Sequence, residues 1–504
     1  MTRHIHVAYK NGTGYAEIYT PQRKDGKKIN NSVYLGKVID LEKGIFHNRK
    51  RGYFKYSLSD GFEAFDFDKT ESALLQPEEI SILDFGSAYL LWNILQMMGF
   101  LELLQSLLPN HSDSLLALLF YRIQECGGYN MANEFLKGSY TRIIFPKAQL
   151  TSQRVSELLE VLGDESFFRD FFSIYLDAET PKGRKVGVLI DSTGLPNSID
   201  TYLTAVDRHN GVISNETRLL LVVDKQSGKP LFFRYNPGNI PYVSTLLATI
   251  LELKALHVDV AMAILDEGYF SEKNAKELAY AGISYLTRLA PNRKLYKKLV
   301  AEHYAEALEE ENVVKYGGRL VGIVRVPIPL PGGIDGYAYV AVDYERRHQE
   351  WRKYTQDAIE DGATIEERRE KAHKHGFFIL ISSEMIETKD ILQLYYTRQT
   401  VEQIFDVSKN DIDLLPLRVH SENTLRGHLM LVFLASLAYL FLNEKLKETK
   451  FNAANALLIF RNLKCKIYDD EILVKEPVKN MNDIAEKLGI SIPKRIVEGK
   501  ECGN

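Results

Sequence analysis

The order of strand and helix patterns between residues 185 and 290 restricts the fold of this chain more than any other feature. Short apolar runs typical of buried strands are separated first by turns and then by segments with helical periodicity. The strand-like runs are Val186–Ile190, Leu219–Val223, Leu231–Phe233, Val258–Leu265 and Ser284–Leu289, and the helical segments are Val243–Leu256 and Glu272–Ala281. A turn containing Ser-Gly-Lys-Pro joins the second and third runs, which predicts a hairpin.

Three antiparallel strands, a helix and then strand–helix–strand is the order of a ribonuclease-H-like α/β core. The sequence therefore predicts an α/β protein with such a core at 181–290 and 386–450. Strand-like segments and a highly charged helical stretch between these two parts predict an insertion domain at 291–385. The other predicted parts are a basic, strand-rich region at 1–70, a helical region at 71–180 and a C-terminal tail at 451–504.

Composition excludes several other classes of protein. Hydrophobic residues make up 45% and charged residues 26% of the 504 residues, which excludes a largely disordered chain, a collagen-like chain and a coiled-coil rod. The three cysteines have no metal-ligand spacing, which argues against a structural zinc site and for a reducing compartment. The N-terminus has no apolar stretch of signal-peptide type, so we expect a cytoplasmic protein.

The longest apolar run is the other segment that bears on a membrane. It covers Leu429–Leu442 and is interrupted only by Ser436. A transmembrane helix needs about 20 apolar residues, and this run is shorter. We therefore expect a buried core helix and no membrane partner.

One segment near the N-terminus reverses the charge of the chain. The formal net charge is −4, but the segment Pro21–Lys55 holds ten Lys and Arg against three Asp and Glu, a local net of +7. Such a segment is either a solvated basic face or a surface that contacts phosphates. The candidate phosphate contacts are Lys27, Lys28, Arg49, Lys50 and Arg51.

Two aspartates stand where strand-like runs end. Asp191 follows the run that ends at Ile190, and Asp266 follows the run that ends at Leu265. Ligands of open α/β sheets bind beyond the carboxyl ends of the strands, where a carboxylate is held rigidly and still meets water. Asp also ends strands as a turn former, so its position alone leaves both interpretations open.

A helix predicted over 389–409, with Thr388 as its N-cap, carries four polar side chains at regular spacing. They are Tyr395, Arg398, Glu402 and Lys409, at i, i+3, i+7 and i+14. At about 100° per residue they lie within an arc of roughly 60° on one helical face. Geometry alone would equally allow a solvated face with an Arg398–Glu402 ion pair.

The spacing Tyr-x2-Arg-x3-Glu-x6-Lys resembles the signature of a group of bacterial insertion-sequence transposases of the DDE type. Four fixed residue types would arise by chance in well under about one chain in a hundred of this length. The sequences Pro-Leu-Arg-Val-His at 416–420 and Arg-Gly-His at 426–428 are similar to the same group. The resemblance covers roughly residues 185–445. One departure is Glu267, where the group often has a basic or small residue.

The resemblance implies metal-dependent cleavage of DNA and joining of its 3′-hydroxyls to target DNA, which in the group often proceeds through a DNA hairpin intermediate. Asp191, Asp266 and Glu402 correspond to the catalytic and metal-binding triad, with two Mg²⁺ ions per site as the cofactor and Mn²⁺ as a substitute. Three converging carboxylates raise one another's pKa, and divalent cations remove that cost. Two such ions activate a water or 3′-hydroxyl and stabilise the leaving oxygen of a phosphodiester.

The resemblance also implies contacts with DNA. Arg398 and Lys409 would hold phosphates near the scissile bond, and Tyr395 would donate its hydroxyl to another phosphate. Trp351, in the charged part of the insertion, is a candidate for stacking a flipped base, the alternative being a partly exposed structural tryptophan.

The implied partner is double-stranded DNA, at the transposon ends and at the target, held by a homodimer in a synaptic complex. Residues 71–180 would serve DNA binding or dimerisation. The alternative function is a transposase-derived protein that binds the element ends without cutting them.

Overall fold

The computed structural model describes residues 3–64 and 81–497, with gaps at 11–12, 25–26, 198, 200–204, 210–211, 241, 361–363, 365–374 and 469–470. The chain divides into two units, Met1–Ile80 and Ser81–Asn504. The site described below lies within the second unit.

The first unit is an antiparallel sheet in which each strand forms a hairpin with the next. Apolar side chains alternate along the strands because successive residues point to opposite faces. Ala16, Ile18, Leu35, Phe46 and Phe54 are among those that form its small core. The strands are β1 His4–Lys10, β2 Thr13–Lys24, β3 Lys27–Asp40, β4 Ile45–Asn48, β5 Gly52–Ser57 and β6 Gly61–Ala64.

The second unit combines a helical region with two sheets. Its helices are α1 Gly86–Met97, α2 Phe100–Leu107, α3 Ser112–Gln124, α4 Ala132–Gly138, α5 Thr141–Ile144, α6 Ser152–Leu162, α7 Glu165–Glu179, α8 Tyr242–Ala255, α9 Glu272–Tyr280, α10 Lys294–His303, α11 Tyr344–Glu360, α12 Thr388–Tyr396, α13 Gln399–Asp406, α14 Glu422–Lys445, α15 Ala453–Phe460 and α16 Lys479–Leu488. Its strands are β7 Ser81–Asp84, β8 Lys185–Pro196, β9 Ala205–His209, β10 Val212–Asp224, β11 Pro230–Pro237, β12 Asp259–Leu265, β13 Ser284–Leu289, β14 Val313–Tyr316, β15 Arg319–Leu330, β16 Ile334–Asp343, β17 Phe377–Ser382, β18 Lys464–Ile467, β19 Glu471–Val474 and β20 Arg495–Val497.

A mixed sheet organises this unit. Its order is β11-β10-β8-β12-β13-β17-β16-β15-β14, and β9 pairs with β10. The strands β11, β10 and β8 are antiparallel neighbours, whereas β8, β12 and β13 run parallel. β17 pairs antiparallel with β13, so the strands from 291–385 extend this same sheet. Three strands of the C-terminal tail form a separate four-stranded sheet with β7, in the order β20-β19-β18-β7.

The strand β8 is longer than the sequence predicted. The apolar run ends at Ile190, but β8 continues to Pro196. Asp191 pairs with Leu221 and Thr193 pairs with Leu219 on β10. The prediction that Asp191 ends its strand is wrong because β10 extends back to Val212 and supplies ladder partners for the polar residues that follow.

The helix α14 forms the centre of the helical region. Its most apolar 18-residue window would suffice by length and hydropathy to cross a membrane, but 83% of that window is buried within the protein. This burial confirms the predicted core helix. A Cβ on Gly427 would collide with the backbone carbonyl of Leu159 on α6, so glycine is required for the close approach of these two helices.

The predicted N-caps of two helices are each wrong by one residue. The sequence also predicts a helix with Ser152 as its N-cap, in which Val155, Leu158, Leu159 and Leu162 recur at i, i+3, i+4 and i+7. In the structure the N-cap of this first helix is Thr151, and the N-cap of the helix predicted after Thr388 is Glu387. In both cases the residue before the predicted cap is the last one with extended backbone, and neither cap side chain bonds to the helix. The predicted apolar stripe of the first helix is confirmed, because Val155, Leu158, Leu159 and Leu162 are buried.

Candidate active site

Two neighbouring parallel strands bring the two aspartates together. Leu265 on β12 pairs with Ile190 on β8. Asp191, within β8, and Asp266, directly after β12, are the next residues along the chain, so the register sets them side by side. The Asp191 side chain is only 14% exposed, whereas that of Asp266 is 38% exposed. Asp191 is therefore largely shielded from solvent, whereas Asp266 is accessible to it.

The predicted continuous helix over 389–409 is interrupted. It consists of α12, a tight turn at Thr397 and Arg398, α13 and then a π-helical turn at Val407–Asp411. The Thr397 hydroxyl donates to the Leu394 carbonyl at 2.6 Å, and the amides of Arg398 and Val401 donate to carbonyls three residues back. Side-chain bonding of Thr to its own helix bends helices, and i→i+3 bonds overwind them.

Arg398 lies at the centre of the site. Its Nη1 is 2.5 Å from Asp191 Oδ2, and its Nη2 is 3.5 Å from Asp266 Oδ1 and 3.2 Å from Glu402 Oε1. The overwound turn places the guanidinium over Asp191 in the middle of β8, and α13 packs against that strand. All three predicted triad carboxylates therefore converge on one side chain.

Burial and charge act in opposite directions on Asp191. Burial raises the pKa of Asp191 to about 6, Arg398 counteracts this rise, and Asp266 adds to it. Its Oδ1 accepts a hydrogen bond from the Ser192 amide at 2.8 Å, which fixes the carboxylate orientation. A buried carboxylate with a raised pKa beside two others is a favourable place for an added cation.

Lys409 contacts β8 two residues beyond Asp191. Its Nζ donates to the Thr193 hydroxyl at 2.7 Å. Asp191 and Thr193 are two residues apart and therefore point to the same face of β8. Burial lowers the pKa of Lys409, and the nearby carboxylates of Asp406 and Glu216 act against that shift.

Tyr395 departs from the predicted shared face. It is buried, only 3% exposed, whereas the Glu402 side chain is 54% exposed. The centre of the Arg398 guanidinium lies 5.8 Å from the Tyr395 ring. Burial raises the pKa of the Tyr395 hydroxyl to about 12. The buried ring therefore lies next to the Arg398 guanidinium on the side away from solvent.

The donor set suits a hard divalent cation. Carboxylate oxygens are the ligands that Mg²⁺ takes from proteins, together with water and phosphate. Among the residues that the structure describes, no three His, Cys, Asp or Glu side chains are arranged as a ready-made metal cluster. The reason is that the three carboxylates face the Arg398 guanidinium, which lies between them. Their convergence on one cationic group still brings all three within reach of a common cation.

The carboxylate site lies in a segment of the chain that matches a known protein family. A family of transposase DDE domains matches residues 182–438, which contain both aspartates, Glu402 and the flanking cations. The chain belongs to this transposase family.

Other comparisons are more distant. No curated protein sequence matches the chain. Among solved structures, it is similar to the piggyBac transposase in a cryo-EM structure of its synaptic complex with hairpin DNA. That similarity covers 69% of this chain and 70% of the other at 10% sequence identity, with a TM-score of 0.36.

Candidate DNA-contact residues of this transposase-family chain lie on other elements. Trp351 is on α11, which packs on β15 and β16, and is 48% exposed with its ring 6.3 Å from that of His348. Three basic residues, Arg49, Lys50 and Arg51, occupy the exposed turn between β4 and β5. The side chains of Lys27 and Lys28 lie outside the described residues.

The turn between β4 and β5 is built by Asn48. Its side-chain oxygen accepts hydrogen bonds from the amides of Lys50 and Arg51 at 3.1 and 2.9 Å. Gly52 follows with φ 65°, a left-handed conformation that glycine adopts without strain. The Arg51 guanidinium centre lies 4.1 Å from the Phe62 ring, which leaves Arg49 and Lys50 at the tip.

Two residues next to the candidate site were not predicted from the sequence. Thr193, the partner of Lys409, had no recognisable signal beyond its position two residues after Asp191. Arg288 lies on β13, beside the strand that carries Asp266, with its Nε 3.9 Å from Glu267 Oε2. A basic residue within an apolar strand next to a predicted acidic site is the signal that could have identified it.

Proposed function

We propose that this protein is a transposase of the insertion-sequence group with the Tyr-Arg-Glu-Lys signature. It binds the terminal inverted repeats of its element and catalyses metal-dependent DNA cleavage and strand transfer. The observation that carries the proposal is the convergence of Asp191, Asp266 and Glu402 on the Arg398 guanidinium. Membership of the transposase DDE family supports the assignment of these acids as the catalytic triad.

A ribonuclease-H-like core is part of the proposal. The order β11-β10-β8-β12-β13, with three antiparallel strands followed by two parallel ones, supports it. We propose the same division as the sequence predicted: the core at 181–290 and 386–450, and the insertion at 291–385. The helical region at 71–180 would then serve DNA binding or dimerisation.

The triad carboxylates would hold two Mg²⁺ ions, for which Mn²⁺ could substitute. When bound, such ions lower the pKa of a water or 3′-hydroxyl and stabilise the leaving oxygen of the phosphodiester. Asp191 would supply the rigid ligand, because it is buried and held by the Ser192 amide. Glu402 is the most exposed of the three and would adjust as DNA enters.

The cations of the site would position the DNA. Arg398 and Lys409 would donate to phosphate oxygens beside the scissile bond, with Tyr395 beneath the guanidinium. Trp351 would stack on a flipped base, and Lys27, Lys28, Arg49, Lys50 and Arg51 would contact other phosphates of the DNA. We propose a homodimer that acts in the cytoplasm on double-stranded DNA, at the element ends and at the target.

The test is Mg²⁺-dependent cleavage of duplex DNA that carries the element's terminal inverted repeats. Asp191→Asn, Asp266→Asn and Glu402→Gln should each abolish cleavage while end binding, measured by gel shift, stays within about threefold of wild type. The reason is that the carboxylates serve the metal and not the phosphates. Asp259→Asn is the matched control, because Asp259 is exposed at the opposite end of β12 and should leave cleavage unchanged.

Two results would contradict the assignment. Near-normal cleavage by any triad variant would remove that residue from the triad. End binding by the wild-type protein without cleavage in either Mg²⁺ or Mn²⁺ would favour the non-cutting DNA-binding protein instead.

A further inference from the structure

Arg398 contacts the carboxylates of the triad, which a residue that only bound DNA phosphate would not need to do. Its guanidinium meets Asp191, Asp266 and Glu402 together. The side chain is 16% exposed, and its buried Nε has no hydrogen-bond partner. Both terminal nitrogens are therefore directed to the triad and not to solvent.

These contacts compete with a divalent ion. The oxygens that face the guanidinium are Asp191 Oδ2, Asp266 Oδ1 and Glu402 Oε1, and each would be a ligand of Mg²⁺. A guanidinium and a divalent cation repel each other and cannot both occupy the space between three carboxylates. Metal binding must therefore displace Arg398 from at least part of this set.

Without any cation the three carboxylates would repel one another, because an oxygen of each lies within 3.5 Å of the same guanidinium. The planar guanidinium is suited to reducing this repulsion because it presents donors in a rigid fork and stays charged when partly buried. A lysine ammonium is a single point charge on a flexible stem. The Tyr395 ring, 5.8 Å from the guanidinium centre, provides a support on which the group can turn.

We propose that Arg398 is an exchangeable cation of the active site. In the metal-free protein it offsets part of the negative charge of the triad, and when divalent ions bind it releases the carboxylates and turns to a DNA phosphate. The inference rests on the proposed metal-binding role of the triad. It adds that metal binding and phosphate binding by Arg398 are coupled, so that the arginine is available to DNA only when the site is loaded.

The first measurement is the affinity for Mn²⁺ alone, determined by electron paramagnetic resonance on the full chain. Arg398→Gln removes the competing cation, so the Kd for Mn²⁺ should fall at least about fivefold, the lower end of typical coupling between linked sites. Arg184→Gln is the matched control: it breaks a comparable Arg–Asp pair, to Asp224 at 2.6 Å, at a hairpin that lacks the triad residues. Its Mn²⁺ affinity should equal that of wild type.

The second measurement uses the wild-type protein and does not depend on the folding of a variant. Phenylglyoxal modifies accessible arginines, and peptide mass spectrometry reports the rate at Arg398. We expect that rate to rise severalfold when Mg²⁺ is added and to return when EDTA is added. The rate at Arg184 should not respond to Mg²⁺.

The third measurement addresses DNA. Ca²⁺ commonly occupies oxygen-ligand sites in place of Mg²⁺. Arg398→Gln should weaken binding of a fluorescent end duplex in Ca²⁺ and have little effect in EDTA, where the wild-type guanidinium is already occupied. An equal loss in both buffers would overturn the coupling.

The outcomes separate this inference from the proposed function. If Asp191→Asn and Glu402→Gln leave Mn²⁺ affinity unchanged, the triad does not hold the metal and the proposed function fails. If those variants lose Mn²⁺ but Arg398→Gln binds it no tighter, and phenylglyoxal reactivity ignores Mg²⁺, the exchange is overturned while the proposed function remains.

Discussion

At the scale of single residues, the site balances three carboxylates of different exposure against the charge of Arg398. Asp191 alone would be expensive to ionise in its buried position, and the adjacent carboxylates increase that cost. Arg398 offsets it with a short charge-assisted pair to Asp191. The arrangement explains how carboxylates on two strands and a helix can remain close together in a folded protein before any metal binds.

Lys409 offers a prediction at this scale. Its hydrogen bond to Thr193 holds the ammonium two residues beyond Asp191 on the same strand face. Lys409→Met should slow hairpin formation or strand transfer by about tenfold or more, the value of a charge-assisted hydrogen bond, and slow first nicking less. Single-turnover assays on intact, nicked and hairpin substrates would measure each step.

Thr193→Val is the companion variant for Lys409. It keeps the ammonium but removes its hydroxyl partner, so we expect a smaller loss on the same later steps. Equal rates of the Lys409→Met protein and wild type on all three substrates would show that Lys409 does not contact the DNA.

At the scale of elements, the helix predicted over 389–409, the motif helix, departs from regular helical periodicity. The 100° spacing treats 389–409 as one regular helix, which places Tyr395 and Lys409 on one face with Glu402. The overwound turn at Thr397 and the π-helical turn at Val407–Asp411 change that rotation. As a result Tyr395 becomes a buried support, whereas Arg398 and Glu402 stay with the strand-borne aspartates.

A buried polar network links the helical region to the segment that follows the motif helix. His428 on α14 donates from Nε2 to the Leu414 carbonyl at 3.0 Å, so its Nδ1 accepts from the Tyr129 hydroxyl at 2.5 Å. Arg122, almost fully buried on α3, pairs with Asp413 Oδ2 at 3.0 Å. Asp413 has φ 56°, an uncommon conformation for a residue with a side chain, and this ion pair helps to hold it.

The network predicts a dependence of stability on pH. Burial lowers the pKa of His428 from 6.5 to about 3. Because the folded-state pKa is depressed, His428 becomes protonated in the unfolded chain but not in the native state as the pH falls from about 6.5 towards 3. The free energy of unfolding therefore decreases in that pH window. The Tm of wild type should therefore decrease more steeply between pH 7 and pH 5 than that of a His428→Leu/Tyr129→Phe variant.

The Tyr129→Phe single variant is the control for this pH effect. It removes the hydroxyl but leaves the buried imidazole, so its Tm should keep the wild-type slope. If the double variant and wild type lose Tm in parallel, His428 does not determine the acid sensitivity.

At the scale of the whole molecule, charge is distributed unevenly. The chain carries −4 in total and +7 within Pro21–Lys55, so attraction to DNA should be concentrated in that segment. Arg49→Gln, Lys50→Gln and Arg51→Gln, all at the turn between β4 and β5, should together lower DNA affinity and flatten its salt dependence. The log–log slope should fall by roughly 0.9 for each residue that contacts a phosphate.

Binding isotherms at several salt concentrations would measure that slope. A triple variant at Lys294, Lys297 and Lys298 on α10 is the control for loss of positive charge elsewhere. An unchanged slope in the turn variant would mean that this basic turn is only a solvated surface. Cleavage at saturating DNA should change little in either protein, because these residues are not part of the triad.

The sequence by itself determined the order of the elements and the identity of the family. Apolar runs and helical periodicity are local properties, so the succession from β8 to β13 and the buried stripe of α6 could be predicted from neighbouring residues. The candidate acids were found because the spacing around Glu402 resembles a known motif and because two aspartates follow apolar runs.

The tertiary structure decided how those residues meet. The length of β8 depends on ladder partners in β10. The pair of Arg398 with Asp191 and the bond from Lys409 to Thr193 join residues that are 207 and 216 positions apart in the chain. Such contacts follow from strand register and from the packing of α13 on β8, and no local pattern encodes them.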